Sequence, residues 1–205
     1  MLLLFKVAHG VKLFKDRYSL LFYQQLSQDL NSVSDDFDTN HFLERIMPDH
    51  FDTMEMKQRV SHTTQILHAS LPSEFEQAIT ILLALVVKLE KSGVKTDCIE
   101  YLFLPEFVER YGLNHFDVSM AAFTQITPFI SCEFSVRPFI IDKPALMLQQ
   151  MMRWTEHANR RVRRLASEGF RPRLPWGRAL SIFKEEPMLL QPMLLRLMDD
   201  QCELS

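Results

Sequence analysis

The sequence predicts an all-α fold, organised as a stack of helical units. Three observations carry that expectation. Leu, Met, Gln, Glu, Lys, Arg and Ala dominate, only five glycines occur, and β-branched runs are scarce. Apolar residues return at three- and four-residue spacing in successive segments of one to two dozen residues with short links. The C-terminal half also repeats itself: the amphipathic segment PALMLQQMMRW starting at Pro144 is echoed 43 residues later by PMLLQPMLLRL starting at Pro187. Nothing reads as a strand ladder.

Each element follows from local chemistry. Residues 11–30 carry Leu13, Phe14, Leu20 and Leu21 at helical spacing with no breaker, which predicts one helix. The polar run 31–40 is a loop in which Asp38 or Asn40 can cap a short helix ending before Pro48. Residues 54–71 form a second long helix, stopped by Pro72. Ser73 and Glu76 have capping-box spacing, and the helix they open ends near Gly93, a left-handed cap. Residues 105–111 form another helix, stopped by Gly112, followed by helices over 116–126 and 128–141. After residues 144–154, the link Thr155 to Asn159 turns the chain into a helix over 160–167 with Val162, Leu165 and Ala166 on one face.

In a helical-repeat stack each unit buries its face against its neighbours. The unit opened at Pro187 has a first helix and a turn but no partner helix. The expected organisation is therefore one helical-repeat domain over 1–205 with an incomplete last repeat, whose apolar face at 187–197 is open to self-association.

Composition excludes several classes. The longest apolar run, Ile81 to Val87, is far too short to span a bilayer. The opening MLLLF meets Lys6 at once, with no cleavage pattern, so neither a signal peptide nor a membrane partner is expected. Cys98, Cys132 and Cys202 are odd in number and lack CxxC spacing, which points to reduced thiols in a cytoplasmic protein. Seven histidines, His62 and His68 among them, show no ligand spacing, so no metal is expected. No Walker loop, dinucleotide fingerprint or nucleophile elbow occurs, and no cofactor is expected.

Charge is distributed unevenly. The net charge is −3, yet residues 137–178 hold ten Lys/Arg against Asp142, Glu156 and Glu168. Such a segment in an acidic chain is usually aimed at something anionic. Within it, 160–178 reads RRVRRLASEGFRPRLPWGR. Arg160, Arg163 and Arg164 share one helix face, and Arg161 sits apart. Arg171, Arg173 and Arg178 flank Pro172 and Pro175, which stiffen the backbone. Guanidinium forks match phosphate oxygens. The plain alternative is a solvated helix surface. Glu168 ends the helix, where a carboxylate is electrostatically misplaced unless arginines pair with it or it has work to do. Glu133 stands in an apolar setting with Arg137 one turn away, and structural Glu–Arg pairing is the alternative for both glutamates. Trp154 reads as core, and Trp176 by default does too.

SCEFSVRPFI at 131–140, Trp154, and VRRLASEG with RPRLPW at 162–176 together resemble the AlkC branch of the DNA alkylation repair glycosylases. The likeness is strong from Cys132 to Trp176 and weaker from about residue 10 to Asp200. The resemblance implies a solenoid of HEAT-like repeats whose concave face binds the DNA backbone. It implies excision of cationic N3-methylated adenine from duplex DNA without metal or nucleotide, and without a deep pocket that takes the base fully out of the helix. By the same resemblance Glu133 and Glu168 match active-site carboxylates, Trp176 matches the active-site aromatic, and Arg164 and Arg171 match basic residues beside them. Arg137, Arg160, Arg161, Arg163, Arg173 and Arg178 join these two as candidate phosphate contacts. The family continues with a basic helix carrying an Asn-rich, Asp-containing motif that this sequence does not show. Two other readings use the same residues: a helical-repeat protein that binds DNA without cutting it, and a protein-interaction solenoid.

Overall fold

The computed structural model describes residues 13–175 and 177–198. The MLLLF opening, Trp176, Cys202 and the turn expected after Met198 lie outside the described residues. Every regular element among the described residues is helical: α1 (Leu20–Asn31), α2 (Thr39–Ile46), α3 (Met56–Ser70), α4 (Phe75–Lys91), α5 (Phe103–Tyr111), α6 (Phe116–Ile126), α7 (Arg137–Asp142), α8 (Pro144–Trp154), α9 (Arg160–Glu168), α10 (Ile182–Glu185) and α11 (Gln191–Met198), with short 3-10 turns between some of them. No single helix among the described residues is long and apolar enough to cross a membrane.

Helix α4 packs on α1 and α6, α5 packs on α3 and α6, and α2 packs on α1 and α3. Further along, α8 packs on both α7 and α9, and α9 meets α11. One continuous apolar core runs from Tyr18 to Met193. Helical spacing explains the joins. In α8 Met147, Met151 and Trp154 are buried on one stripe, and the Trp154 indole donates to Thr124 Oγ1 at 2.8 Å. In α9 Val162, Leu165 and Ala166 face inward. Asp38 caps α2 by accepting from the His41 amide at 2.9 Å. Gly93 ends α4 at φ +75°, and the Val94 amide returns to the Leu89 carbonyl at 3.1 Å, closing a Schellman turn.

Four expected elements come out differently. The helix expected over 11–30 is split: a 3-10 turn at Phe14–Arg17 precedes α1, which Ser19 caps through the Phe22 amide. Tyr18, Tyr23, Leu26 and Leu30 are buried, while Leu13, Phe14, Leu20 and Leu21 are exposed, so the spacing that suggested one helix belongs to the outer side. Ser73 makes no capping box; α4 starts after Glu74 without a side-chain cap. The helix expected over 128–141 is an irregular run of turns to Val136, and only α7 is helical. Near the C-terminus a 3-10 turn at Pro187–Leu190 precedes α11, with Met188, Leu194, Leu195 and Met198 exposed. The short α10 carried no sequence signal strong enough to be expected.

Candidate active site

The irregular run before α7 carries the first carboxylate. The Cys132 side chain is fully buried, and its carbonyl accepts from the Ser135 and Val136 amides at 3.0 and 3.1 Å. This anchored turn presents Glu133 half-buried, with its amide 3.5 Å from Ser131 Oγ. Burial pushes the Glu133 carboxyl above the usual carboxylate range. Arg164 pulls it back down, Glu168 pushes it up, and the Ser131 hydroxyl and Arg171 pull it down. Glu133, Arg164, Glu168 and Arg171 thus act on one another in one place, although they come from two distant segments.

Glu168 is the last residue of α9. Arg171 Nε lies 3.0 Å from its Oε2; the Glu168 side chain is 15% exposed and that of Arg171 59%. A carboxylate at a helix C-terminus is disfavoured by the helix dipole, and the arginine of the next turn compensates it. Gly169 makes the approach possible. A Cβ there would stand 2.9 Å from the Leu165 carbonyl and 3.0 Å from both Met151 Cε and Val136 Cγ2. Val136 belongs to the turn of Glu133, so the missing side chain lets α9 end directly against that turn. Gly169→Ala is expected to cost roughly 1–3 kcal/mol through overpacking and to move the two carboxylates apart. Urea unfolding checks the first effect, and an unchanged midpoint would contradict it.

The structure corrects the role of Arg137. Its side chain is 0% exposed, so it is no phosphate contact. It donates to three carbonyls of the arginine-rich loop: Arg178 O from Nε, Gly169 O at 3.1 Å from Nη1 and Pro172 O at 3.5 Å from Nη2. Gly177 lets its stem pass, since a Cβ there would lie 3.1 Å from Arg137 Cδ. Burial works against the Arg137 charge, and Glu133 is the carboxylate whose field supports it. Sequence reasoning grouped Arg137 with the phosphate ligands because it opens the basic segment 137–178, although its neighbours Phe134, Val136, Phe139 and Ile140 are apolar.

The remaining arginines divide by what they touch. The Arg161 fork is engaged by Asp97 at 2.7 and 2.9 Å, with Thr96 at 3.1 Å, which ties α9 to the link between α4 and α5. Asp97 holds φ +59°, and its amide donates to the Phe129 carbonyl at 3.0 Å. Arg163 donates to the His157 and Ala158 carbonyls at 2.9 and 3.0 Å, stapling the turn into its own helix. Arg160, Arg164, Arg171, Arg173 and Arg178 are exposed, and of these Arg164 and Arg171 act on the Glu133 carboxylate while Arg171 pairs with Glu168.

Two further carboxylates were missed by sequence reasoning. Glu106 and Glu109 stand half-buried on α5, and burial pushes both carboxyls above the usual range. Arg110 pairs with Glu106 at 3.2 Å and also bonds Ser61, while Glu109 meets the Ser135 hydroxyl and feels the charge of Arg178. The signal was present in FLPEFVER: two glutamates three residues apart, hence on one face of an otherwise apolar helix. They line a groove of about 810 Å³ that runs past Ser131, Phe134, Ser135 and Arg178.

No family model matches the chain. The uncharacterized protein YhaZ of Bacillus subtilis (strain 168) is 34% identical over 187 residues, which are 91% of this chain and 50% of that protein. The structure is also similar to that of the Pseudomonas fluorescens alkylpurine DNA glycosylase AlkC bound to DNA containing an abasic site analog, with a TM-score of 0.85 and 32% identity over 94% of this chain and 52% of that one. The chain spans about half the length of each of these relatives. Agreement of that extent, in both sequence and helical arrangement, places this chain in the AlkC-like family.

Proposed function

We propose that the chain forms the base-excising face of a DNA repair glycosylase, hydrolysing the N-glycosidic bond of cationic alkylated bases such as 3-methyladenine in duplex DNA. One observation carries the reading: Glu133 and Glu168, from separate segments, act on each other in the company of the exposed Arg164 and Arg171. The similarity to an alkylpurine DNA glycosylase supports it.

The chemistry suits these groups. Methylation at N3 gives adenine a positive charge and weakens its bond to the sugar. When that bond breaks, its electron pair leaves with the base and neutralises it, so the leaving group needs little protonation. Positive charge then develops on the sugar. Glu168, ion-paired with Arg171, is the fixed negative charge that stabilises it. Water adds to the sugar carbon and gives up a proton. Glu133 is the acceptor, because its raised pKa makes its carboxylate the better base. The exposed arginines hold phosphates, and Trp176, by the family resemblance, offers an aromatic face to the cationic base.

The reading is tested by base release from alkylated duplex DNA, comparing the 205-residue chain with its Glu168→Gln form. Release that disappears in the variant supports it. No release from either form, with both still binding DNA, sinks it and leaves a DNA-binding protein that does not cut. Binding is expected to weaken steeply with salt. Single replacement of Arg160, Arg164 or Arg173 by Ala should lower the log–log salt slope by about 0.9, one phosphate's worth. Arg161→Ala should leave that slope unchanged, since its fork is engaged by Asp97. Fluorescence anisotropy across a salt series reads both effects.

A further inference from the structure

We propose that the groove between α3, α5 and the turn of Glu133 is a product subsite, which takes up the methylated purine base after the glycosidic bond has broken. This rests on the glycosylase reading and adds where the released base goes.

The groove has the dimensions of a small-molecule site: about 810 Å³, where such sites run to about 300–1,000 Å³. Leu102, Pro105, Ile130, Phe134 and Pro138 supply its apolar walls. A flat heterocycle needs such walls for its faces and a few polar groups for its edge. Glu109 and Ser135 supply the edge. The other nearby carboxylates are engaged, Glu106 by Arg110 and Asp97 by Arg161, whereas Glu109 is held by the Ser135 hydroxyl. A carboxylate in a desolvated setting gains strongly from a hydrogen-bond donor brought against it. The exocyclic amine of a methylated adenine is such a donor.

Position connects the groove to the reacting bond. Ser131 lines the groove, and its hydroxyl is also the hydrogen-bond partner of Glu133. Through Ser131 and Phe134, the residues on either side of the Cys132–Glu133 pair, the groove adjoins the turn that holds Glu133. The mixed signs of the lining argue against other occupants. Glu106 and Glu109 repel a phosphate chain, while Arg110 and Arg178 repel a polybasic peptide. A small heterocycle that is neutral or singly charged meets neither penalty.

The experiment is isothermal titration of the full chain with free 3-methyladenine, using wild type, Glu109→Gln and Leu102→Trp. Saturable binding by wild type is expected, at least tenfold weaker in Glu109→Gln and lost in Leu102→Trp, where the indole fills the groove. Absence of saturable binding by wild type overturns the proposal whatever the variants do. Equal binding by a correctly folded Leu102→Trp, checked by circular dichroism, overturns it too. Should neither variant fold, wild-type binding together with nuclear Overhauser contacts from the ligand methyl to Phe134 supports the site, and contacts confined to other residues overturn it. The base-release assay separates the two claims. Release without binding of the free base removes the subsite and keeps the glycosylase. Binding without release keeps a purine site and removes the glycosylase.

Discussion

Glu168→Gln is expected to lower single-turnover base release by about 10²–10³-fold, the usual effect of removing one group aimed at transition-state charge. Gln preserves shape but removes the negative charge beside the sugar, and it leaves Arg171 without its carboxylate. Glu133→Gln should cause a loss of similar size through the proton acceptor. The two variants should differ in a second measurement. Burial raises the pKa of Glu133, so its ionisation opposes folding. The sign is that of a raised folded-state pKa: the stabilising contribution of the protonated form is present below the ordinary glutamate range and is lost as pH rises through the raised value. At neutral pH, Glu133→Gln should therefore melt no lower than wild type, while its activity is gone. Wild-type activity should fall, as pH is lowered, at a pH above the ordinary glutamate range, and Glu133→Gln should lack that limb. A variant that lost stability and activity together would assign Glu133 a structural pairing role instead.

Arg137→Met is expected to be the most destabilising single change in the site region. The substitution removes the donors that three loop carbonyls share, at Gly169, Pro172 and Arg178. Buried acceptors left without donors cost about 1–3 kcal/mol each, and relaxation of the loop recovers part of that, leaving a loss of roughly 3–5 kcal/mol. The loop itself should loosen first, because α9 and the core below it retain their own packing. Limited proteolysis should cut between 170 and 178 in the variant and not in wild type. Arg137→Lys should recover little, since a single ammonium cannot reach carbonyls spread over this span as a planar fork does. An uncut loop with wild-type stability would show that the clamp is dispensable.

Most helices were legible because their information is local. The bounds of α6 and α8 and the Asp38 cap of α2 follow from apolar spacing, a proline at the first turn and one capping carboxylate. Where local signals were ambiguous, packing chose. Residues 128–136 have helical spacing, yet the chain is irregular there until the buried Cys132 carbonyl accepts from the amides of Ser135 and Val136, the turn that leads into α7. Ser73 and Glu76 have capping-box spacing, but α4 opens after Glu74, leaving the Ser73 hydroxyl out of position.

The candidate site divides in the same way. Sequence alone determined which residue types are concentrated: a basic segment in an acidic chain, a glutamate at the end of an arginine-rich helix, and a second glutamate in an apolar turn. Those facts are written in composition and spacing. Only the tertiary structure decided which arginine faces what. Arg137 is buried under the loop, Arg161 is engaged by Asp97, Arg163 staples its own turn, and Arg164 and Arg171 stand beside the carboxylates. It also decided that Glu106 and Glu109 line a groove next to Glu133. The reason is physical. Helix formation depends on neighbours three and four residues away, which the sequence displays. The partner of a long charged side chain depends on which distant segments pack beside it, and here a glycine without a side chain, Gly169, lets the end of α9 reach the turn that holds Glu133.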